Sequence, residues 1–244
     1  MKTVLYLVRH CEAEGNWRRT FQGHTDSEVS EKGRRQLDLL AERFRGVRLD
    51  AVYSSPLRRA YETAEAIDRW AKLPIVTDEG LMEIDGGGFE GVRFDELPER
   101  FPKEQHDWEC HPERFVAPGG EAMAQVFARM RRTIDRIVRA NAGKVIAAAS
   151  HGCAIRNYQC HACGWDLSQL NYVRWCDNTA VSLFEYGDDF VPRIVYLSDA
   201  SHLPDSASTF ATQDWWQHTP QPGDPLPNRR RTAGEPQEKE GQRP

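Results

Sequence analysis

The sequence predicts an α/β protein, a three-layer α/β/α sandwich on a mainly parallel sheet with an antiparallel edge. Three observations carry this. Short β-branched runs alternate with stretches whose apolar residues recur at helical spacing, the pattern left by parallel strands and crossover helices. The first run, Thr3 to Val8, is β-branched and aromatic and reads as a buried strand. Late in the chain, two runs flank Gly187-Asp188-Asp189 as a hairpin, which supplies the antiparallel edge.

After the first strand, Leu37, Leu40, Ala41 and Phe44 make the apolar stripe of a helix closed by Gly46, and Ala51-Val52-Tyr53 opens a second strand. Ser55 then reads as an N-cap with Pro56 in the first helical position. Leu57, Ala60, Tyr61, Ala64 and Ile67 are the buried face of that helix. Ile75 to Thr77 is a third strand. From Val92 to Pro118 the periodicity breaks into Pro- and charge-rich pieces, so residues 92–118 read as a lid or insertion rather than core. A long helix follows with the stripe Met123, Val126, Phe127, Met130, Ile134, Ile137 and Val138. It leads through Gly143 into a fourth strand, Val145 to Ala149. A helix over 152–163 and the hairpin of Ala180–Tyr186 with Arg193–Leu197 complete the domain, expected to span residues 1–205. Residues 206–244 read as a disordered tail, because the last 25 residues hold six of the fourteen prolines.

Composition narrows the function. Among 244 residues, 32 basic against 37 acidic side chains give a net charge of −5, which argues against a nucleic-acid partner. Arg229-Arg230-Arg231 is read as a solvated run in the tail. The apolar run Val4–Val8 stops at Arg9-His10, far short of the roughly 20 residues of a membrane span, so a cytoplasmic protein with no membrane partner is expected. The six cysteines are scattered, which favours free thiols.

Ligands of open α/β sheets sit at the carboxyl ends of the strands, and the residues there share a theme. The first strand ends in Arg9-His10, the second leads through Ser54-Ser55 to Arg58-Arg59, the third is followed by Glu83, and the fourth ends in Ser150-His151-Gly152. Two histidines, at least two arginines and one carboxylate would make a compact cationic pocket with a single acid. Guanidinium forks match phosphate oxygens, and sulfate or a carboxylate would fit as well. A neutral imidazole can attack phosphorus and carry a phosphoryl group, and a nearby Glu can protonate the leaving oxygen.

These residues also resemble a known family. Leu7-Val8-Arg9-His10-Cys11-Glu12 is similar to the Arg-His-Gly signature of the histidine phosphatase, or phosphoglycerate mutase-like, superfamily. Gln22-Gly23-His24-Thr25-Asp26 with Ser30-Glu31-Lys32-Gly33, Ser54-Ser55-Pro56-Leu57-Arg58-Arg59-Ala60, Glu83 through Phe89-Glu90-Gly91, and Ser150-His151-Gly152 agree in order and spacing. Pro118-Gly119-Gly120-Glu121 and Asp177-Asn178-Thr179-Ala180-Val181 also look like the family, over roughly residues 3–200.

The resemblance implies a phosphoglycerate mutase-like fold and a phosphatase without cofactor or metal that acts on a small phosphorylated metabolite. His10 would be the nucleophile, Arg9, Arg59 and His151 would hold the phosphoryl oxygens, and Asn16, Gln22 and Gly152 would line the pocket. Glu83 would be general acid and then base, with Asp85 and Glu90 as rivals for that role; Arg58 should face solvent. Cys11 departs from the usual Gly, and its β-carbon is expected to crowd the pocket or alter the backbone. Two alternatives stand beside the phosphatase: a phosphoglycerate mutase-type phosphoryl transfer, and a catalytically weak relative that binds phosphorylated ligands. Mutases of the family carry a longer insertion after the acid, whereas Glu83 to Pro118 is short. Arg93, Arg100, Lys103, His106, His111 and Arg114 in that segment suit an anionic metabolite such as a sugar phosphate. Cys160-His161-Ala162-Cys163 lacks the second Cys pair of a structural zinc site and is expected to pack. No oligomeric state follows from the sequence.

Overall fold

The computed structural model describes residues 1–213. Trp215, Trp216, the arginine run and the prolines from Pro220 onward lie outside the described residues. The sheet has six strands in the order β3-β2-β4-β1-β5-β6: β1 (Thr3–Arg9), β2 (Ala51–Ser54), β3 (Ile75–Thr77), β4 (Val145–Ser150), β5 (Val181–Tyr186) and β6 (Pro192–Asp199). The first four run parallel, and β5 pairs antiparallel with both β1 and β6. β4 inserts between β1 and β2, so Val8 lies opposite Ala149 and Arg9 opposite Ser150. That register brings the ends of strands remote in sequence to one rim.

Helices cover both faces. On one side α2 (Glu31–Phe44) and α3 (Arg58–Asp68) bury Leu37, Leu40, Phe44, Ala60, Ala64 and Ile67 against Val8, Val52 and Ala147. On the other, α6 (Met123–Ala140) and α7 (Gly152–Ala162) bury Met130, Ile134, Ile137 and Tyr158 against Leu5 and Leu7. Ser30 caps α2 by accepting the Gly33 N–H at 2.9 Å, as its residue type favours. The cap of α3 differs from the expectation. The helix begins at Arg58 with Leu57 at the cap, and Asp26 from a distant loop accepts the Arg58 N–H at 2.7 Å. Ser55 is instead committed to His151, as described below.

Residues 92–118 hold the short helices α4 (Leu97–Arg100) and α5 (Pro102–Cys110), and they are not excluded from the core. Val92, Leu97 and Phe115 are buried, and Phe115 and Trp108 meet edge to face at 4.9 Å. The helices are too short to show a period, so this core contribution is invisible to pattern reading. Among the described residues, no helix is long and apolar enough to cross a membrane.

The boundary expected at residue 205 falls short. Ala207 and Thr209 are fully or almost fully buried, although the segment is polar. Gln36 Nε2 donates to the Ala207 carbonyl at 2.8 Å, Thr209 Oγ1 donates to Glu12 at 3.1 Å, and Asp177 accepts both Ser208 Oγ and the Thr209 N–H. Hydrogen bonds rather than apolar area hold this strap, so no hydrophobic pattern marks it. Truncation after Asp205 is expected to strand these buried partners at a cost on the order of 2 kcal/mol, lowering the melting midpoint by about 4 °C or more. An unchanged midpoint in a thermal scan would contradict the docking.

Candidate active site

His10 follows directly on β1, at the centre of the rim. Its backbone is fixed from two sides: its N–H donates to the Ser150 carbonyl at 2.9 Å, and its carbonyl accepts Asn178 Nδ2 at 2.9 Å and the Thr179 N–H at 3.3 Å. Thr179 takes a left-handed φ of 57°, an uncommon cost for a β-branched residue, beside the proposed nucleophile. The imidazole Nδ1 lies 2.6 Å from the Cys11 carbonyl, which can only accept, so Nδ1 carries the proton and Nε2 keeps its lone pair. Burial pulls the pKa of His10 well below the usual histidine value, and the Arg59 and Arg9 charges pull it further. The ring is neutral at pH 7, as a nucleophile requires.

His151 follows β4, with its ring centroid 5.1 Å from that of His10. Ser55 Oγ accepts the Leu57 N–H and lies 2.8 Å from His151 Nε2; with the Ser55 hydroxyl donating to Nε2, the imidazole proton is assigned to Nδ1. Burial also lowers the His151 pKa strongly, reinforced by Arg59 and His10.

Arg59 lies fully buried on α3. Its Nη1 and Nη2 donate to the carbonyls of Thr25 and Gly23, each at 2.8 Å, and burial lowers its pKa to about 10, still charged at neutral pH. Arg9 donates through Nη1 to the Cys176 carbonyl, and its Nε faces Gly152. A β-carbon at Gly152 would sit 3.3 Å from that Nε and 3.4 Å from the Trp175 ring, tighter than is comfortable. The glycine lets the guanidinium lie against the start of α7. Arg58 is exposed and paired with Glu28, as expected.

Glu83 closes the rim. Its carboxyl group sits at the N-terminus of α7 and accepts the N–H groups of Cys153 and Ala154, each at 3.0 Å, and that of Ile84 at 2.9 Å. Its rivals are engaged elsewhere. Burial raises the pKa of Glu90, but hydrogen bonds from Thr25, His24 and Gly86 outweigh that and hold it below the usual value, so Glu90 staples the 23–25 loop as a carboxylate. Asp85 accepts the Gly87 N–H within its own turn.

The Asn16 and Gln22 side chains have local partners. The Asn16 amide oxygen accepts the Ala13 N–H and closes α1 (Glu14–Arg18), while Gln22 lies across Gly15 and accepts from Ser27. Among the described residues, no hydrogen bond joins either side chain to His10, Arg9, Arg59 or His151. Asn178, Ser55 and Thr63, which position the site's backbone and His151, carry no chemical signal of their own in the sequence. Cys160 is likewise structural, its Sγ lying 3.2 Å from the Asp166 carbonyl.

The buried nitrogens of this cluster share one property. Among the described residues, the buried side-chain nitrogens with no protein partner are Arg9 Nε, Arg59 Nε and His151 Nδ1, all three around His10. Unpaired buried donors are costly, and an anion placed beside them would supply the missing partners. The sequence profile of the histidine phosphatase superfamily, branch 1, matches residues 5–200. The chain belongs to the histidine phosphatase superfamily. Within it, the chain is 33% identical over 179 residues to Phosphoserine phosphatase 1 of Hydrogenobacter thermophilus, covering 73% of this chain and 84% of the relative. It is 31% identical to Phosphoglycerate mutase-like protein 4 of Arabidopsis thaliana, covering 83% of this chain and 87% of that one. Among solved structures, Bacillus stearothermophilus YhfR superposes with a TM-score of 0.78 at 30% identity, over 82% of this chain and 98% of that chain. The phosphoserine phosphatase of Entamoeba histolytica in complex with 3-phosphoglyceric acid gives a TM-score of 0.72 at 26% identity, over 83% of this chain and all of that one.

Against this histidine phosphatase frame, Cys11 corrects an expectation. Its side chain points away from the pocket into the core beneath α3, fully buried among Val8, Val29 and Leu40, with Sγ 3.7 Å from the Arg59 carbonyl. Its N–H donates to Thr63 Oγ1 at 2.9 Å, and burial pushes the thiol up to about 12. Cys11→Gly is therefore expected to leave kcat/KM unchanged and to cost about 1–2 kcal/mol of stability through a cavity and added backbone freedom. Kinetics beside a denaturant titration check this; a raised kcat/KM would restore the crowding reading.

Proposed function

We propose that this histidine phosphatase is a metal-independent phosphomonoesterase that hydrolyses a small phosphorylated metabolite through a phosphohistidine on His10. The observation that carries the reading is the ring of unpartnered donors, Arg9 Nε, Arg59 Nε and His151 Nδ1, around a neutral imidazole with its Nε2 lone pair available. Those donors would stabilise the charge that grows on the phosphoryl oxygens as Nε2 attacks phosphorus. The bond to the ester oxygen breaks, and Glu83 gives that oxygen a proton. Glu83 then takes a proton from water as the water oxygen attacks the phosphohistidine, releasing inorganic phosphate and restoring both residues.

A mutase needs further cations to seat a second anionic group. The arginines and the lysine of the insertion have partners: Arg93 pairs with Asp95, Arg100 with Glu96, Lys103 with Asp107, and Arg114 with Glu113, all at the surface. This supports hydrolysis over transfer. The phosphoserine phosphatases among the relatives make phosphoserine and 3-phosphoglycerate the first substrates to assay.

The test is phosphate release from a metabolite panel in EDTA; loss on chelation and recovery with Mg²⁺ would reject the mechanism. Glu83→Gln is expected to slow an alkyl phosphate by roughly 10² to 10⁴ while p-nitrophenyl phosphate, whose leaving group needs little protonation, still phosphorylates His10. Rapid quench with both substrates decides it, since equal slowing would move the acid role to another group.

A further inference from the structure

The loop that carries Glu83 is gripped from behind by a single arginine. Arg129, on α6, donates through Nε and Nη2 to the two carboxylate oxygens of Glu121 at 2.7 and 2.9 Å. Its Nη1 reaches the carbonyls of Gly80 and Met82 at 3.2 and 2.7 Å, and Nη2 also reaches the carbonyl of Glu83 itself at 2.9 Å. Five hydrogen bonds use the five N–H groups a guanidinium has. Glu121, just past the insertion, meets the same loop: its Oε2 accepts the Asp85 N–H at 3.3 Å and its own N–H donates to the Asp85 carbonyl at 2.9 Å. The two side chains are each only 16% exposed, so water competes weakly for these bonds.

The loop needs such a clamp. Residues 82–86 lie between two short 3₁₀ turns, Glu79–Leu81 and Gly87–Phe89, and belong to no strand or helix. Glu83 is thus held at two points by different elements. Its carboxyl group rests on the Cys153 and Ala154 N–H groups of α7 and on the Ile84 N–H of the loop itself, and its peptide carbonyl is fixed by Arg129 of α6, with His24 Nε2 at 3.1 Å on the outer side. The angle between these anchors sets where the carboxylate points.

We propose that Arg129, braced by Glu121, is the positioning residue for Glu83, fixing the peptide from which its carboxylate hangs and so the aim of proton transfer. This rests on Glu83 being the proton donor and base of the proposed reaction. Arg129 itself does not touch the reacting atoms. Because a misplacement of about 1 Å far from the chemistry can cost on the order of 10²-fold in rate, a residue behind the loop has a specific kinetic signature.

The experiment compares Arg129→Met, Arg129→Lys, Glu121→Gln, Glu83→Gln and the Glu83→Gln/Arg129→Met double variant on an alkyl phosphate and on p-nitrophenyl phosphate, with orthovanadate affinity as a probe of the phosphoryl pocket. Arg129→Met is expected to lower kcat for the alkyl phosphate on the order of 10²-fold, with KM, vanadate affinity and the p-nitrophenolate burst little changed. In the double variant it should add nothing to Glu83→Gln, and Arg129→Lys should recover part of the loss. If Arg129→Met does not fold, Glu121→Gln, which keeps its size but turns an amide toward the guanidinium, serves for the same comparison. Multiplying effects in the double variant, equal slowing of the phosphorylation step with both substrates in rapid quench, or lost vanadate binding would each overturn the proposal. Wild-type turnover of the alkyl phosphate by Glu83→Gln alone would instead remove the reading of Glu83 beneath it.

Discussion

His10→Ala is expected to lower turnover of any phosphomonoester by at least about 10⁴-fold, and to abolish the acid-labile phosphoenzyme, because the neutral His10 imidazole, with its Nδ1 proton held by the Cys11 carbonyl, is the group that would attack phosphorus through Nε2. Quenching with radiolabelled substrate tests it directly: label retained on the protein after His10→Ala would place the nucleophile elsewhere. The same residue has a pH consequence. Burial holds the pKa of folded His10 and His151 well below the ordinary value of about 6.5 that they regain on unfolding. The unfolded chain therefore binds more protons below that pH, and stability falls as the solution is acidified, with this contribution fully present above it. In His10→Ala one of the two histidines is gone, so the loss of melting temperature between pH 7 and pH 5 should shrink. On the kinetic side, His10 imposes no acid limb on kcat/KM near pH 6.5, since it stays neutral there.

Arg59→Ala is expected to reduce kcat on the order of 10² to 10³-fold, while its neighbour Arg58→Ala changes little. The contrast follows from one helical step. Arg59 is buried, with Nε unpartnered beside the two histidines, whereas Arg58 is exposed and engaged with Glu28. Arg59 has a second duty, since its Nη groups hold the carbonyls of Gly23 and Thr25. Its removal should also cost about 1–3 kcal/mol of stability by stranding them. Arg59→Lys should recover little, because one ammonium cannot span two loop carbonyls and a phosphoryl oxygen as a planar fork does. Steady-state kinetics of the three variants beside their melting midpoints test the pair, and greater damage from Arg58→Ala would shift the register of α3 by one residue.

Much of this was legible before any tertiary contact was known. A buried parallel strand needs apolar residues on both faces, and a crossover helix needs a stripe, so β1, α2, α6 and the late hairpin announced themselves by period. Chain order and the parallel sheet then required Arg9-His10, Arg59, Glu83 and His151-Gly152 to fall at strand ends on one rim. The charged and nucleophilic types at those places already pointed to phosphoryl chemistry.

What a side chain touches is another matter, because its partners come from remote parts of the chain. The insertion of β4 between β1 and β2 sets His151 beside His10, and only that packing lets Ser55 serve His151 instead of capping α3. Cys11 turns into the core because Thr63 takes its N–H and the chain has already left β1 at Arg9, a direction that residue type alone does not specify. The strap at Ala207–Thr209 and the Arg129 clamp are polar, so no hydrophobic period betrays them; their hydrogen bonds exist only once α2, α6 and the loops they hold are in place. The sequence by itself determined which elements form and which chemical groups reach the rim, since periodicity and residue type act locally. The tertiary structure alone decided how those groups are aimed, buried and stripped of competing partners, since that depends on contacts between residues far apart in the chain.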